Sequence, residues 1–266
     1  MKNLKELRDI DDKIFEDFKV ATDKYLQKLL FKSEFPRTAE VCYMFMSGSN
    51  FLKNSIFDCA EKEDYYSTSV LFRSIIEHFL RFEYFWFNNA EYKDDSYALK
   101  FRTALDFKEK IEIEKSINAI KQLRKIEQKS SDEIWDELIS QNNDFEKFSK
   151  AEISEFSNSL SIKNIIRFIQ KTMKEGGFKS NDFLQKLIIE YTNLSSFVHG
   201  GLYAHKKMVT LENDSERQDA IIGICGIALQ SATTIKSFSY LTFNQFMPEF
   251  GFHFNKTNEL LKEITK

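Results

Sequence analysis

Two stretches hold the residue types from which a catalytic site could be assembled. The first ends in Ser195-Ser196-Phe197-Val198-His199-Gly200-Gly201. Read as a helix at about 100° per residue, it places Leu184, Leu187, Ile188, Tyr191, Leu194 and Val198 on one face. His199 and Ser195 project toward that face, with Thr192 at its edge, while Asn193 and Phe197 project away. The helix C-terminus favours the charged imidazole and apolar surroundings disfavour it. A histidine between those effects titrates near neutral pH and can serve as acid or base. A structural histidine that caps its own helix fits the same pattern.

The second stretch is Ser69 to Arg81. Arg73, Glu77 and Arg81 lie four apart and neighbour one another on a helix. Ser74 and His78 share their arc, and Leu71, Phe72, Ile75, Ile76, Phe79, Phe82 and Trp86 fill the other. An ordinary amphipathic helix with a solvated face looks the same. If the polar arc instead meets the His199 end inside a bundle, an Arg73 held by Glu77 can offer several donors to a phosphate. After the glycines, Tyr203, His205, Lys206 and Lys207 read as a loop, either solvated or able to reach a phosphate backbone. Ser195, Ser196, Asn193, Tyr203, His205 and Lys206 are the candidate substrate contacts, beside His199, Arg73 and Glu77 as candidate catalytic residues.

His78, His199, His205 and His253 show no ligand spacing with acids or cysteines, so neither a metal nor another cofactor is expected. There is no phosphate-binding glycine loop, dinucleotide fingerprint or nucleophile elbow.

The pairing of Arg73-x-x-x-Glu77 with a later Ser195-x-x-Val198-His199-Gly200 helix end resembles bacterial helical proteins of the HEPN-like kind. The resemblance covers Ser69–Trp86 and Tyr191–Gly201. It implies a helical bundle and a metal-independent ribonuclease, or toxin, of a toxin–antitoxin or anti-phage system. His199 matches the HEPN histidine. The arginine that precedes it in that signature is missing, and Asn193 stands at its place. Arg73 would supply the charge from another helix. The partners implied are RNA, an antitoxin or other protein, and a second copy in a homodimer. The alternative is a non-catalytic interaction module, with Arg73, Glu77 and His199 as a structural network and the charged helix around Lys121, Arg124 and Lys125 as partner surface. A small-ligand sensor with a pocket between helices is a third reading.

These residues must be positioned by the rest of a 266-residue chain containing 27 Phe but only 2 Pro and 8 Gly. So few chain breakers predict long helices and short connections. The net charge of −3 gives no global pull toward a polyanion. Cys42, Cys59 and Cys225 are odd in number and far apart, which disfavours a disulfide framework and suits a reducing cytoplasm. The charged start Met1-Lys2-Asn3-Leu4-Lys5-Glu6 has no signal-peptide character. Ala220 to Ile235 carries no charge, yet Gln230, Ser231, Thr233 and Thr234 interrupt it, so it reads as a central buried helix rather than a membrane span.

Periodicity predicts helices over Leu4–Leu30, from Pro36 past Gly48 to Ile56, over Asp64–Asn88, and in one or two pieces over Asp94–Lys129. Further helices are expected at Glu133–Ile139, at Ile162–Lys174 stopped by Gly176-Gly177, at Asn181–Val198 stopped by Gly200-Gly201, and from Ser215 to Pro248. The reading is an all-α bundle of about seven helices. It forms a single domain over 1–266 with a charge-dense helical insertion at about 94–150.

Overall fold

A computed structural model describes residues 2–91, 94–141, 143–175, 182–211 and 214–266. Among these the chain is all α, with eleven α-helices, one 3-10 turn and no strand. The helices are α1 Leu4–Lys32, α2 Pro36–Glu61, α3 Tyr65–Asn89, α4 Ser96–Leu123, α5 Ser131–Gln141 and α6 Lys150–Ser159. They continue with α7 Ile162–Glu175, α8 Asp182–Val198, α9 Leu202–Thr210, α10 Asp214–Asn244 and α11 Phe250–Thr265. The 3-10 turn is Asn143–Lys147, between α5 and α6.

The expected count of about seven is too low: α6, α9 and α11 have no counterpart among the eight segments that periodicity picks out. α6 has a Ser- and Asn-rich interior, although Ser149 and Glu152 form a capping box at its start. α9 begins directly after the double glycine, and α11 directly after Pro248-Glu249. The expected Gly176-Gly177 ending lies outside the described residues.

Local chemistry explains most of the other boundaries. Asn3 and Glu6 form a reciprocal capping box on α1. Pro36 occupies the first turn of α2, whose free N–H groups at Arg37 and Thr38 donate to the Asp95 carboxylate at 2.6 and 2.7 Å. Asp64 caps α3 by accepting from the Ser67 N–H. α2 runs through Gly48 unbroken. A Cβ there would stand 2.7 Å from His78 Cε1, so glycine is what lets α3 bring that ring against α2. His78 Nε2–H donates to the Phe45 carbonyl at 2.9 Å, and burial lowers its pKa.

α10 is the central helix, packed by α1, α2, α3 and α11. It is long and apolar enough to cross a membrane by composition, but 61% of its most apolar window is buried inside the protein. Several of its polar interruptions are satisfied internally, although Ser239 Oγ and the Tyr240 hydroxyl are buried without a hydrogen-bond partner among the described residues. Ser231, Thr233 and Thr234 donate to carbonyls one turn back, and Ser237 donates to Asn258 on α11. Lys236, wholly buried, donates to Asn50 Oδ1 at 2.6 Å, and burial drives its pKa well down. Beside it Lys53 pairs with Asp11, and His253 and Lys256 both meet Asp17 at 3.1 Å. These polar ties join α1 to α2 and α11 within an aromatic core.

α7 and α8 cover the outer side of α3, and α9 rests on α8. α4 lies against α2 and α3 and carries α5 and α6. One buried group stands apart. Glu83 on α3 has no hydrogen bond or ion pair among the described residues, and burial pushes its carboxyl up to about 8.

Candidate functional site

The polar arc of α3 does meet α8. Arg73 reaches across, its Nε–H donating to Ser195 Oγ at 3.3 Å and its Nη2 to the Tyr191 hydroxyl at 2.9 Å. The guanidinium lies 4.7 Å from the Tyr191 ring centroid. Glu77 sits between two arginines, 3.5 Å from Arg73 Nη1 and 2.6 Å from Arg81 Nη2. Burial raises the Tyr191 phenol pKa, and the Glu77 carboxylate adds to that rise. Ser195 in turn donates to the Tyr191 carbonyl one turn back.

Lys108 joins this cluster from α4. Burial lowers its pKa, and the positive charge of Arg81 lowers it further while Glu112 and Glu77 oppose. Lys108 makes no ion pair within 4 Å among the described residues, and Arg81 Nε is buried without a partner. Arg73 and Arg81 thus hold the carboxylate of Glu77, and Lys108 stands near enough to feel the charges of Arg81 and Glu77. The sequence reading missed Lys108 because nothing local to α4 relates it to α3.

The α8 terminus is built as its glycines predict. Gly200 adopts φ +63°, and the Gly201 N–H donates to the Ser196 carbonyl at 2.7 Å, closing a Schellman turn with His199 as C-cap. The Tyr66 hydroxyl satisfies the Phe197 carbonyl at 2.6 Å. Ser196 Oγ accepts from Ala204 N–H at 3.0 Å and so caps α9. A Cβ on Gly201 would stand 2.4 Å from that oxygen, which is why the second glycine is needed.

His199 itself does not point inward. It is exposed and makes no side-chain hydrogen bond or ion pair among the described residues. The buried arc of α8 is Leu184, Leu187, Leu194 and Phe197, turned toward Phe197 from the arc the sequence suggests. Phe197, expected outside, is 1% exposed and packs against the rings of Tyr65, Tyr66 and Tyr203. The aromatic side chain wins the core and Val198 and His199 rotate out. His199 still lies one turn after Ser195, on the same flank of α8 as Tyr191.

The other candidates separate. Asn193 and Tyr203 line a cavity of about 230 Å³ on the opposite flank of α8. His205 and Lys206 are exposed on α9, a helix and not the expected loop, and make no side-chain hydrogen bond or ion pair among the described residues. Cys42, Cys59 and Cys225 are free thiols. Among the described residues no three His, Cys, Asp or Glu side chains converge as a metal site would need.

Comparison with known proteins finds a match over residues 39–217 to a family described as a family of unknown function, DUF5677. The chain belongs to DUF5677. The matched span runs from α2 into the first turns of α10 and therefore contains both flanks of α8 and the whole Arg73–Glu77–Arg81–Lys108 cluster. Neither a curated protein nor a solved structure matches the chain. The DUF5677 description carries no activity, so function has to be argued from the cluster.

Proposed function

We propose that the cation-rich face between α3, α4 and α8 binds the phosphate backbone of RNA, and that the protein is a HEPN-like, metal-independent ribonuclease of a bacterial defence or toxin–antitoxin system acting in the cytoplasm. The observation that carries this reading is the surplus of charge. Two arginines share one carboxylate with a lysine nearby, and Ser195, which Arg73 grips, lies one helical turn before an accessible histidine. A polymer substrate needs an open site, and His199 is open.

In this reading Arg73, oriented by Glu77, and Arg81 with Lys108 hold the scissile phosphate and offset charge developing on its oxygens. The RNA 2′-hydroxyl attacks phosphorus, its proton passing to a base, while the 5′-oxygen leaves with a proton from an acid. His199 serves in one of these roles. The nucleophile belongs to the substrate, so positioning and charge supply the rate.

The test is cleavage of labelled RNA in the presence of a chelator by the wild type and by His199→Ala. A loss of about 100-fold or more in the variant is expected. Equal cleavage by both, or by neither, overturns the reading. Toxicity on expression that His199→Ala relieves is the cellular counterpart, and an antitoxin would be the partner that suppresses it.

A second reading has its own support. Arg73 is engaged by Ser195, Tyr191 and Glu77, as a purely structural clamp between α3 and α8 would be. On α4, Ile113, Ile117, Ile120 and Leu123 form an exposed apolar row near Arg124 and Lys125. In a non-catalytic interaction module this row is the contact surface. Charge reversal at Lys121, Arg124 and Lys125 then abolishes a stable complex and leaves any RNA cleavage untouched.

A further inference from the structure

The cavity on the far flank of α8 is a half-open recess bordered by α3, α8, α9 and α10, with a volume of about 230 Å³. Its lining combines aromatic, aliphatic and polar side chains. Tyr65 and Phe72 come from α3, Phe197 from α8 and Tyr203 from α9, with the Tyr65 and Phe197 rings edge-on at 5.9 Å. Flat apolar ligands seat well against such surfaces.

Its polar groups are unengaged. Lys186 from α8 and Lys207 from α9 line the cavity, and neither makes an ion pair or a side-chain hydrogen bond among the described residues. Glu190 lies one helical turn from Lys186, a spacing at which such side chains commonly pair, yet they stay more than 4 Å apart. Asn193, also on the wall, has no side-chain partner among the described residues. Glu190 is close enough to Tyr65 to help raise the phenol pKa, behind the larger effect of burial.

α10 leaves the space open. Gly223 lies on the cavity wall, and a Cβ built there meets nothing within 4 Å. Glycine inside a helix is destabilising relative to alanine. At Gly48 the missing side chain admits His78, whereas at Gly223 it admits no protein atom. What stands beside Gly223 is open space on the wall of the recess.

We infer that this cavity is a binding site for a small aromatic anion, with the ring lying on Tyr203 beside the edge of Tyr65 and the anionic group held by Lys186 and Lys207. Asn193 offers both a donor and an acceptor to the ring edge. Glu190 accepts from a ring N–H. The anion is a carboxylate or a phosphate monoester, since two separated ammonium groups suit either as point charges. The site lies on the flank of α8 opposite the Arg73 cluster and does not depend on that cluster being catalytic.

Isothermal titration of the full-length protein tests this with three probes: indole-3-acetate for an aromatic carboxylate, adenosine 5′-monophosphate for an aromatic phosphate, and uncharged indole. Saturable sub-millimolar binding is expected for the first or the second, and their ratio identifies the anion. Indole binds at least tenfold more weakly. Gly223→Leu fills the cavity and abolishes binding while its melting temperature stays at or above that of the wild type. Lys186→Gln and Lys207→Gln each weaken binding at least tenfold. The inference is overturned if neither anion saturates the protein at millimolar concentration, if indole binds as well as both, or if Gly223→Leu binds like the wild type. Should Gly223→Leu fail to fold, Gly223→Ala with the two lysine variants decides, since Ala has room for its methyl and must weaken binding of the better probe.

Discussion

On one flank of α8, Tyr191 and Ser195 are held by Arg73, which itself leans on Glu77 and, through it, on Arg81. On the other, Lys186, Glu190 and Asn193 stand around a cavity without partners among the described residues. The side chains are of the same kinds, but their engagement differs. An engaged network fixes geometry and resists change, because removing one member leaves the others part-buried and unpaired. An unsaturated rim around open volume contributes little to stability and is available to something else. The flank with the network holds α3 to α8, and the flank with the cavity borders a glycine with open space beside it.

The sharpest contrast comes from Glu83, a carboxyl that is unpaired like Glu190 but buried more deeply than Arg73. Its folded pKa, about 8, lies above the ordinary value of 4.5, so its neutral form is the one folding favours. Wild-type stability at this site is therefore greatest below about pH 4.5, falls as the pH rises, and levels off above about pH 8. Glu83→Gln removes that dependence. At pH 9 it should exceed the wild type by roughly 3–5 kcal/mol, at about 1.4 kcal/mol per pKa unit. The two should converge below pH 5, as read by urea unfolding across pH. A difference independent of pH breaks the account.

Next in size is the clamp itself. Arg73→Leu should cost about 2 kcal/mol, since it removes charge-assisted hydrogen bonds and leaves Tyr191 and Ser195 unpaired in a part-buried site. Lys186→Gln on the opposite flank should stay within about 0.5 kcal/mol. Equal costs would erase the distinction between the flanks.

The two helical glycines then predict opposite signs. Gly48→Ala drives a methyl to 2.7 Å from His78 and should destabilise by about 1–3 kcal/mol despite better helix propensity. Gly223→Ala meets open space and should stabilise by about 0.5–1 kcal/mol. Thermal unfolding of the pair is sufficient to check both. Smallest of all, His199→Ala should leave stability within about 0.5 kcal/mol, because the ring is exposed and unpartnered. Any large fall in RNA cleavage then reports chemistry and not unfolding.

Much of the fold was legible from local chemistry. Asp64, Pro36 and Gly200 marked helix ends because a cap satisfies backbone groups within a few residues of itself. The uncharged stretch of α10 announced a central helix, and its hydroxyls do bond back to their own turn. The short helix α9 stayed hidden because nine residues barely show a period, whereas α11, sixteen residues long, escaped notice beyond Pro248 although its length suffices. At the candidate site, the i,i+4 ladder of Arg73, Glu77 and Arg81 was visible, and so was its partnership with the end of α8 as an expectation. The orientation of His199 was not. A helical wheel ranks faces by average polarity, and Leu184, Leu187, Leu194 and Phe197 define a different arc once Tyr65, Tyr66 and Tyr203 close around Phe197.

By itself, then, the order of residues determined an all-helical chain, most of its helix ends, and the arginine–glutamate ladder on α3, since hydrogen bonds of short sequence span govern all three. Only tertiary packing decided that Lys108 comes near that ladder, that the imidazole of His199 faces solvent, and that Gly48 admits a ring while Gly223 borders open space. Those outcomes turn on which side chains fill a shared volume between helices far apart in the chain, and no spacing along one helix encodes that.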